Sequence, residues 1–217
     1  MKDLSSHFDA LLFDLDGTLV DSIPDLTTSV NLLREELDLC EINEEQVRSY
    51  VGDGVGLLVQ RALPPELFSP EQRARFVEIY TEHLTDQTFI YPGILPFLEI
   101  HRDRPMAVVT NKPQNLAEIL LDRLKLTPYF EQVIGAENGL QKKPHPDMIN
   151  RAVQNLAVDP QRAIMFGDHH VDLRAAQTAG VVNCFCGWGL GHDGGLTPDY
   201  RIETTVELME LFPGNGR

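Results

Sequence analysis

Residues 8–18 read Phe8-Asp9-Ala10-Leu11-Leu12-Phe13-Asp14-Leu15-Asp16-Gly17-Thr18. A short apolar run breaks off at Asp14 into acids, a glycine and a hydroxyl. This is the pattern of a buried strand followed by a functional loop. Residues 105–109, 132–134, 163–166 and 181–185 share the shape. Helical patterns separate these four: residues 113–124 carry Leu116, Ile119, Leu120 and Leu124 at helical spacing, and residues 146–156 and 171–179 are similar. Strands alternating with helices across short joins predict an α/β fold, a Rossmann-like parallel sheet with helices on both faces and right-handed crossovers.

Residues 20–88 break that rhythm. They show helices and no convincing strand. Ser22 is placed to cap a helix through residue 39, with Pro24 in its first turn. Asn43 suits the start of a short helix through Tyr50, and Ser69-Pro70-Glu71-Gln72 has the form of a capping box before Phe76, Ile79, Tyr80 and Leu84. A crossover needs one helix, so the surplus predicts an inserted all-helical unit over residues 20–88. Residues 1–19 and 89–217 would form the α/β core, with Tyr91-Pro92-Gly93 marking the return.

Composition narrows the partners. Of 217 residues 42% are hydrophobic, enough for a substantial core without disulfides or a structural metal. Lys plus Arg number 18 against 33 Asp plus Glu, a net charge of −15. That argues against a nucleic-acid-binding protein, which needs a basic stripe, and equally against an anionic membrane surface as partner. An anionic substrate would need a local cluster of donors to overcome the long-range field. Cys40, Cys184 and Cys186 are too few and too odd for a disulfide framework. Cys184 and Cys186 fall on one face of a strand and read as small core residues. No run approaches a membrane span, and residues 1–7 lack the shape of a signal peptide, so a reduced, cytoplasmic protein is expected, as monomer or homodimer.

In open parallel sheets, function gathers beyond the carboxyl ends of the strands. There the sequence places Asp14 and Asp16, then Thr110-Asn111-Lys112-Pro113, then Lys142-Lys143-Pro144, then Gly167-Asp168-His169-His170-Val171-Asp172. Acids, a hydroxyl and a lysine converging from four segments suit a phosphoryl group and a hard cation such as Mg²⁺. Asp14 and Asp16 are two apart, so an extended backbone aims both to one side. Asp14 is expected to attack phosphorus, forming an aspartyl-phosphate. Asp16 would protonate the leaving alkoxide and then deprotonate water. Mg²⁺ on Asp14, Asp168 and the Asp16 carbonyl would relieve the repulsion between carboxylate and phosphate. Lys143 would hold Asp14 ionised, Thr110 and Asn111 would contact the phosphate, and Asp172 would either support the metal from behind or cap the next helix.

These residues carry a resemblance. Phe13-Asp14-Leu15-Asp16-Gly17-Thr18 with Leu19-Val20-Asp21-Ser22, then residues 109–113, Lys143-Pro144-His145-Pro146 and residues 167–172 resemble, in order, the four motifs of the haloacid-dehalogenase-type phosphatases. The resemblance spans nearly the whole chain and implies a helical cap over the substrate, which residues 20–88 match. Tyr50-Val51-Gly52-Asp53-Gly54-Val55-Gly56-Leu57, Arg61-Ala62-Leu63, Asn111-Lys112-Pro113 and the doubled lysine before Pro144 are most similar to bacterial phosphoglycolate phosphatases. His169 departs from the pattern, which usually has a small hydroxyl residue there.

Other residues admit two readings. Gly52, Gly54 and Gly56 read as a flexible loop facing substrate, with Gly54 a candidate contact, or as a plain helix–helix turn. Arg48 is either a cap charge for a substrate carboxylate or an exposed arginine. Trp188 either lines the entrance or packs at the surface. Lys142 reads as a solvated neighbour. His169-His170 hints at zinc, but adjacent histidines rarely share a metal, and the carboxylates favour Mg²⁺. The expected activity is therefore Mg²⁺-dependent hydrolysis of a small phosphate ester, most naturally 2-phosphoglycolate. A sugar-phosphate phosphatase or mutase, or a nucleotide or pyrophosphate phosphatase, fits the same residues. A non-enzymatic phospho-receiver would need neither Asp16 nor a helical insertion.

Overall fold

The computed structural model of the chain describes residues 4–136 and 139–214. Residues 1–3, part of the stretch read for a targeting signal, lie outside the described residues, as do 137–138 and 215–217 of the expected core. The first strand, β1 (Ala10–Phe13), is buried along its whole length. Ala10 and Leu12 belong to one apolar cluster, Leu11 and Phe13 to another. Both faces of the strand are thus covered, which is why it reads as an unbroken apolar run rather than an alternation.

The chain then runs through β2 (Val20–Asp21), four helices and β3 (Phe89–Ile90). The helices are α1 (Ile23–Glu36), α2 (Glu44–Arg48), α3 (Val55–Ala62) and α4 (Pro70–Glu82). β2 and β3 pair antiparallel, Val20 with Ile90 and Asp21 with Phe89, so the two ends of the helical insertion meet in a short ribbon. Asp25, buried on α1, accepts from the Gln87 and Thr88 amides at 2.9 and 2.7 Å and ties the first helix to the returning chain. Asn43 and Gln46 form the capping box of α2, and the Ser69 hydroxyl accepts from Gln72 N–H at the start of α4. Ser22 does not cap α1. The Asp21 carboxylate takes the Ile23 amide at 3.0 Å, and the Ser22 hydroxyl turns to Asp16. The glycine-rich stretch is only half loop: Gly52 and Gly54 have positive φ, whereas Gly56 lies inside α3, a helix the sequence pattern hides.

Beyond the ribbon follow α5 (Ile94–Ile100), β4 (Met106–Pro113), α6 (Gln114–Arg123), β5 (Gln132–Ala136), α7 (Asp147–Leu156), β6 (Ala163–Gly167), α8 (His170–Ala179), β7 (Val182–Cys186), β8 (Tyr200–Ile202) and α9 (Thr205–Leu211). The main sheet is ordered β5-β4-β1-β6-β7-β8 and every neighbouring pair is parallel. The expected five strands are present, and β8 adds a sixth at the edge. α7 and α8 cover one face; α5, α6 and α9 pack with the insertion in the other cluster. Phe13, Phe97, Phe166 and Phe212 interlock there, with Phe13 and Phe166 stacked at 5.1 Å. Burying such a side chain stabilises the fold by about 1.5–3 kcal/mol. Cys184 and Cys186 are buried in the same core as free thiols. No helix among the described residues is long and apolar enough to cross a membrane.

The order has a consequence for the site. β1 lies between β4 and β6, so the chain reverses its direction of travel at the middle of the sheet. The crevice at such a reversal, outside the carboxyl ends, is where ligands bind.

Candidate active site

Asp14, Thr110, Lys143 and Asp168 meet in that crevice, and all four are buried. Asp14 ends β1, and its amide donates to the Phe166 carbonyl of β6 at 2.9 Å. Lys143 Nζ donates to Asp14 Oδ1 at 2.8 Å and to the Val109 carbonyl at 2.6 Å, and forms an ion pair with Asp172 Oδ1 at 2.6 Å. Burial pushes the Asp14 carboxyl up to about 6, against the nearby Lys143 ammonium. Asp168 is pushed up to about 7 by burial and by Asp14 and Asp172. Three donors fix its carboxylate: the Thr18 hydroxyl at 3.1 Å on Oδ1, and the Leu190 and Gly191 amides, each at 2.8 Å, on Oδ2. Gly17 has φ +90°, and a Cβ there would lie 2.2 Å from Asp168 Oδ2. No other residue fits that turn without displacing the acid.

Carboxylate oxygens of Asp14, Asp168 and Asp172 lie within 4.8 Å of one another. One ammonium, Lys143, is paired with two of these three acids. An oxygen-rich pocket with excess negative charge has the donor set of a hard divalent cation. Asp172 also accepts the His169 amide at 3.0 Å, so it both pairs with Lys143 and secures the start of α8.

The Asp16 side chain is separate from that cluster. Its carboxylate accepts from Ser22 Oγ at 2.7 Å and from Lys112 Nζ at 2.9 and 3.2 Å. Lys112 also donates to the Tyr80 hydroxyl of α4 at 2.7 Å, and its ammonium sits 4.6 Å from that ring's centre. Burial opposes its charge, yet Asp16 and Tyr80 hold the Lys112 ammonium above its ordinary range. The same burial pushes the Tyr80 phenol up to about 12. In the sequence Lys112 is one residue of the 109–113 motif with no partner in view. Its partners lie 96 and 32 positions away in the chain, and nothing local announces them.

Asn111 spends its amide on the chain itself. Oδ1 accepts from the Lys143 amide at 2.9 Å, and Nδ2 donates to the Lys143 carbonyl at 2.9 Å and to the Gly52 carbonyl at 3.0 Å. Its visible work is to hold the Lys143 backbone and to tie it to the insertion. Lys142, exposed as expected, also reaches the insertion, donating to the Asp53 carbonyl at 3.1 Å. Trp188 is half-buried and donates to the Thr18 carbonyl at 3.2 Å, so it braces the loop after β1. Gly54, with φ +91°, begins α3 beside the site, where a Cβ would lie 3.0 Å from Lys142 Nζ and 3.1 Å from the Asn111 carbonyl.

A cavity of about 50 Å³ lies between sheet and insertion. The core contributes Asp14, Asp16, Thr110, Asn111 and Lys112; the insertion contributes Leu26, Val51, Gly52, Gly54, Val55 and Leu58. Arg48 is half-buried at the end of α2 and does not line this cavity. Its charge reaches Tyr91, whose phenol is raised by burial first and then by Asp21 and Asp168. His169 is buried beside Gly52, and burial together with His170 and His192 pulls its imidazole down to about 4.

Lys112 and Ser22 moor Asp16, the group expected to serve as proton donor, and misplacing such a group by about 1 Å costs on the order of 10²-fold. Lys112→Met is therefore expected to lower kcat by roughly 10–10²-fold for alkyl phosphate esters, whose poor leaving groups need a well-placed proton donor. The phosphorylation step with an activated aryl phosphate should suffer less. An equal loss in that step for both ester types would separate Lys112 from the role of Asp16.

A family model described as haloacid dehalogenase-like hydrolase matches residues 11–185. The chain is 37% identical over 215 residues to a phosphoglycolate phosphatase of Chromobacterium violaceum, with 95% of this chain and 97% of that one covered. It is 34% identical over 220 residues to a phosphoglycolate phosphatase of Neisseria meningitidis, covering 94% and 93% of the two chains. Among solved structures it is similar to one described as a predicted phosphoglycolate phosphatase from Haemophilus somnus, with a TM-score of 0.87, 26% identity and coverage of 94% and 98%.

Proposed function

We propose, from the premise that the chain belongs to the haloacid dehalogenase-like hydrolases, that this phosphatase acts on small phosphorylated acids, with 2-phosphoglycolate its preferred substrate. The observation that carries the mechanism is the division of the two neighbouring aspartates, Asp14 on Lys143 and Asp16 on Lys112. The Asp14 carboxylate attacks phosphorus, the ester P–O bond breaks, and the Asp16 carboxyl gives its proton to the departing alkoxide. Asp16, now a carboxylate held by Lys112 and Ser22, takes a proton from the water that attacks the aspartyl-phosphate. Phosphate then leaves Asp14 as the free carboxylate. Thr110 offers its hydroxyl to the phosphoryl oxygens, and Lys143 keeps Asp14 ionised. Asn111 acts by holding Lys143.

The buried acids fit Mg²⁺, which Asp14, Asp168 and the Asp16 carbonyl would hold with Asp172 behind them. Bound there, it would neutralise the charge that otherwise sets carboxylate against phosphate. Residues 20–88 act as the cap, turning on the ribbon of Val20 and Asp21 with Phe89 and Ile90. Closure brings Gly52 to Asn111, Asp53 to Lys142 and Tyr80 to Lys112, and keeps bulk water from the phosphoryl group. Arg48, at the rim, reads the substrate carboxylate, and Gly54 presents its backbone to the pocket.

The test is kcat/KM for 2-phosphoglycolate against a neutral phosphate ester, with Mg²⁺ and with EDTA. Activity should require Mg²⁺ and favour the acid. Arg48→Ala should shrink the preference by about 1–3 kcal/mol, the scale of a lost charge-assisted hydrogen bond. No preference in the wild type would remove phosphoglycolate as the substrate. A preference unchanged by Arg48→Ala would assign the carboxylate to another group.

The acid cluster also predicts a pH-dependent response to metal. Asp14 and Asp168 sit at about 6 and about 7, above the ordinary aspartate value. The metal-free fold therefore binds more protons than the unfolded chain between about pH 4 and 7, and their contribution to stability is lost as pH rises. Mg²⁺ must displace those protons at pH 5.5 but not at pH 8. Its gain in Tm should be larger at pH 8. His169, held low, has the opposite dependence, but it enters both arms of the comparison equally. Equal gains at the two pH values would place the cation elsewhere.

A further inference from the structure

Asp168 is followed by His169 and His170, and the loop after β7 returns with a third imidazole, His192. The ring centres of His169 and His170 are 4.2 Å apart; His192 stands 5.2 Å from the first and 5.3 Å from the second. One nitrogen from each ring falls within 4.8 Å of the others. Adjacent histidines usually diverge, but here the backbone changes course between them. His169 is extended, with φ −125° and ψ 151°, whereas His170 opens α8. The His170 amide donates to the His192 carbonyl at 2.8 Å, which fixes the third ligand's loop to the first two.

The nitrogens are largely unspent. Nδ1 of His169 and Nδ1 of His170 are both buried with no hydrogen-bond partner. A buried imidazole nitrogen that nothing meets is costly, so both call for a partner. His192 Nδ1 accepts the Gly194 amide at 3.0 Å, which leaves Nε2 for a ligand. His169 is 7% exposed, and His192 is exposed, so an ion can enter from the solvent side.

We propose that His169, His170 and His192 form a second metal site, selective for a borderline divalent transition ion such as Zn²⁺, Co²⁺ or Ni²⁺. Imidazole nitrogens favour these ions, whereas Mg²⁺ prefers the oxygen cluster next door. Zinc–imidazole bonds of about 2.0–2.1 Å require the nitrogens to draw together, which side-chain rotation at exposed His192 allows. The fourth position is left to water, since the Asp53 carboxylate is paired with Arg61 at 2.7 Å. The site thus lies at the seam between sheet and insertion, where the His169 ring faces Gly52. It does not depend on the substrate proposed above.

The full chain, stripped of metal and then held in excess Mg²⁺ to fill the acid cluster, is titrated with ZnCl₂ by calorimetry and with CoCl₂ by visible absorption. One equivalent should bind, with the cobalt spectrum of nitrogen ligation and a rise in Tm by mass action. His192→Ala and His170→Gln should each weaken binding by about tenfold or more and shrink the rise in Tm accordingly. The exposed position of His192 makes its variant the safer for folding, and the Tm without transition metal checks both. Absence of binding in Mg²⁺, or equal affinity in wild type and both variants, overturns the site. Loss of binding in Asp14→Asn with both histidine variants unaffected would assign the ion to the acid cluster and overturn it as well.

Discussion

Asp14→Asn is expected to give a folded protein with less than about a hundredth of the wild-type kcat. The amide has nearly the shape of the carboxylate but is a poor nucleophile, so it cannot open the aspartyl-phosphate route. Burial lifts the Asp14 carboxyl only to about 6, so in the wild type it is mainly ionised at neutral pH beside Lys143. A neutral amide in the same place carries no charge to desolvate, and the metal-free variant should unfold no earlier than the wild type. Two measurements decide the matter, kcat and the thermal transition of the same preparation. Acid-quenched wild type should carry phosphate on Asp14, and the variant none. Residual turnover above a hundredth in a cleanly folded sample would move the covalent step to another residue.

The site was legible wherever a residue follows a strand. Asp14, Thr110 and Asp168 each sit where a buried apolar run ends, and the parallel order of β4, β1 and β6 then forces them together. Lys143 follows no strand directly and was reached through its motif. The contacts between distant segments were not legible. Lys112 looks like one more surface cation until folding places Asp16 and Tyr80 around it. His192 stands in a loop with no pattern, yet it completes a cluster that the pair His169-His170 only suggested. Among elements, β8 escaped because Tyr200–Ile202 is a short edge strand with too few residues to show a period. α3 escaped because Gly54 and Gly56 read as loop, although only Gly54 lies outside the helix. Ser22 misled for a simpler reason: a hydroxyl ahead of a helix has two uses, and here the acid at Asp16 takes it.

Lys143→Met should be nearly as damaging to turnover, and its effect on stability should depend on pH. Lys143 is paired with Asp14 and Asp172 at 2.8 and 2.6 Å in a buried pocket. Removing one partner of a buried ion pair costs about 3–5 kcal/mol when the other stays charged. The charge of Lys143 itself does not vary over the accessible range. Burial opposes it, but Asp14 and Asp172 hold its ammonium above the ordinary lysine value, so its contribution is present at every pH below that. The pH dependence comes from the acids. Without the ammonium, Asp14 should rise further above about 6, and the fold should lose stability as pH climbs through that higher value. Near pH 5 Asp14 can take up a proton and the deficit should be small; by pH 8 it should be full. Adding Asp14→Asn removes one of the stranded charges, so the double variant should be more stable at pH 8 than Lys143→Met alone. Unfolding curves for the metal-free single and double variants at pH 5 and pH 8 test this directly. A deficit independent of pH, with no recovery in the double variant, would mean that Lys143 stabilises the fold through the packing of its methylenes rather than through its charge.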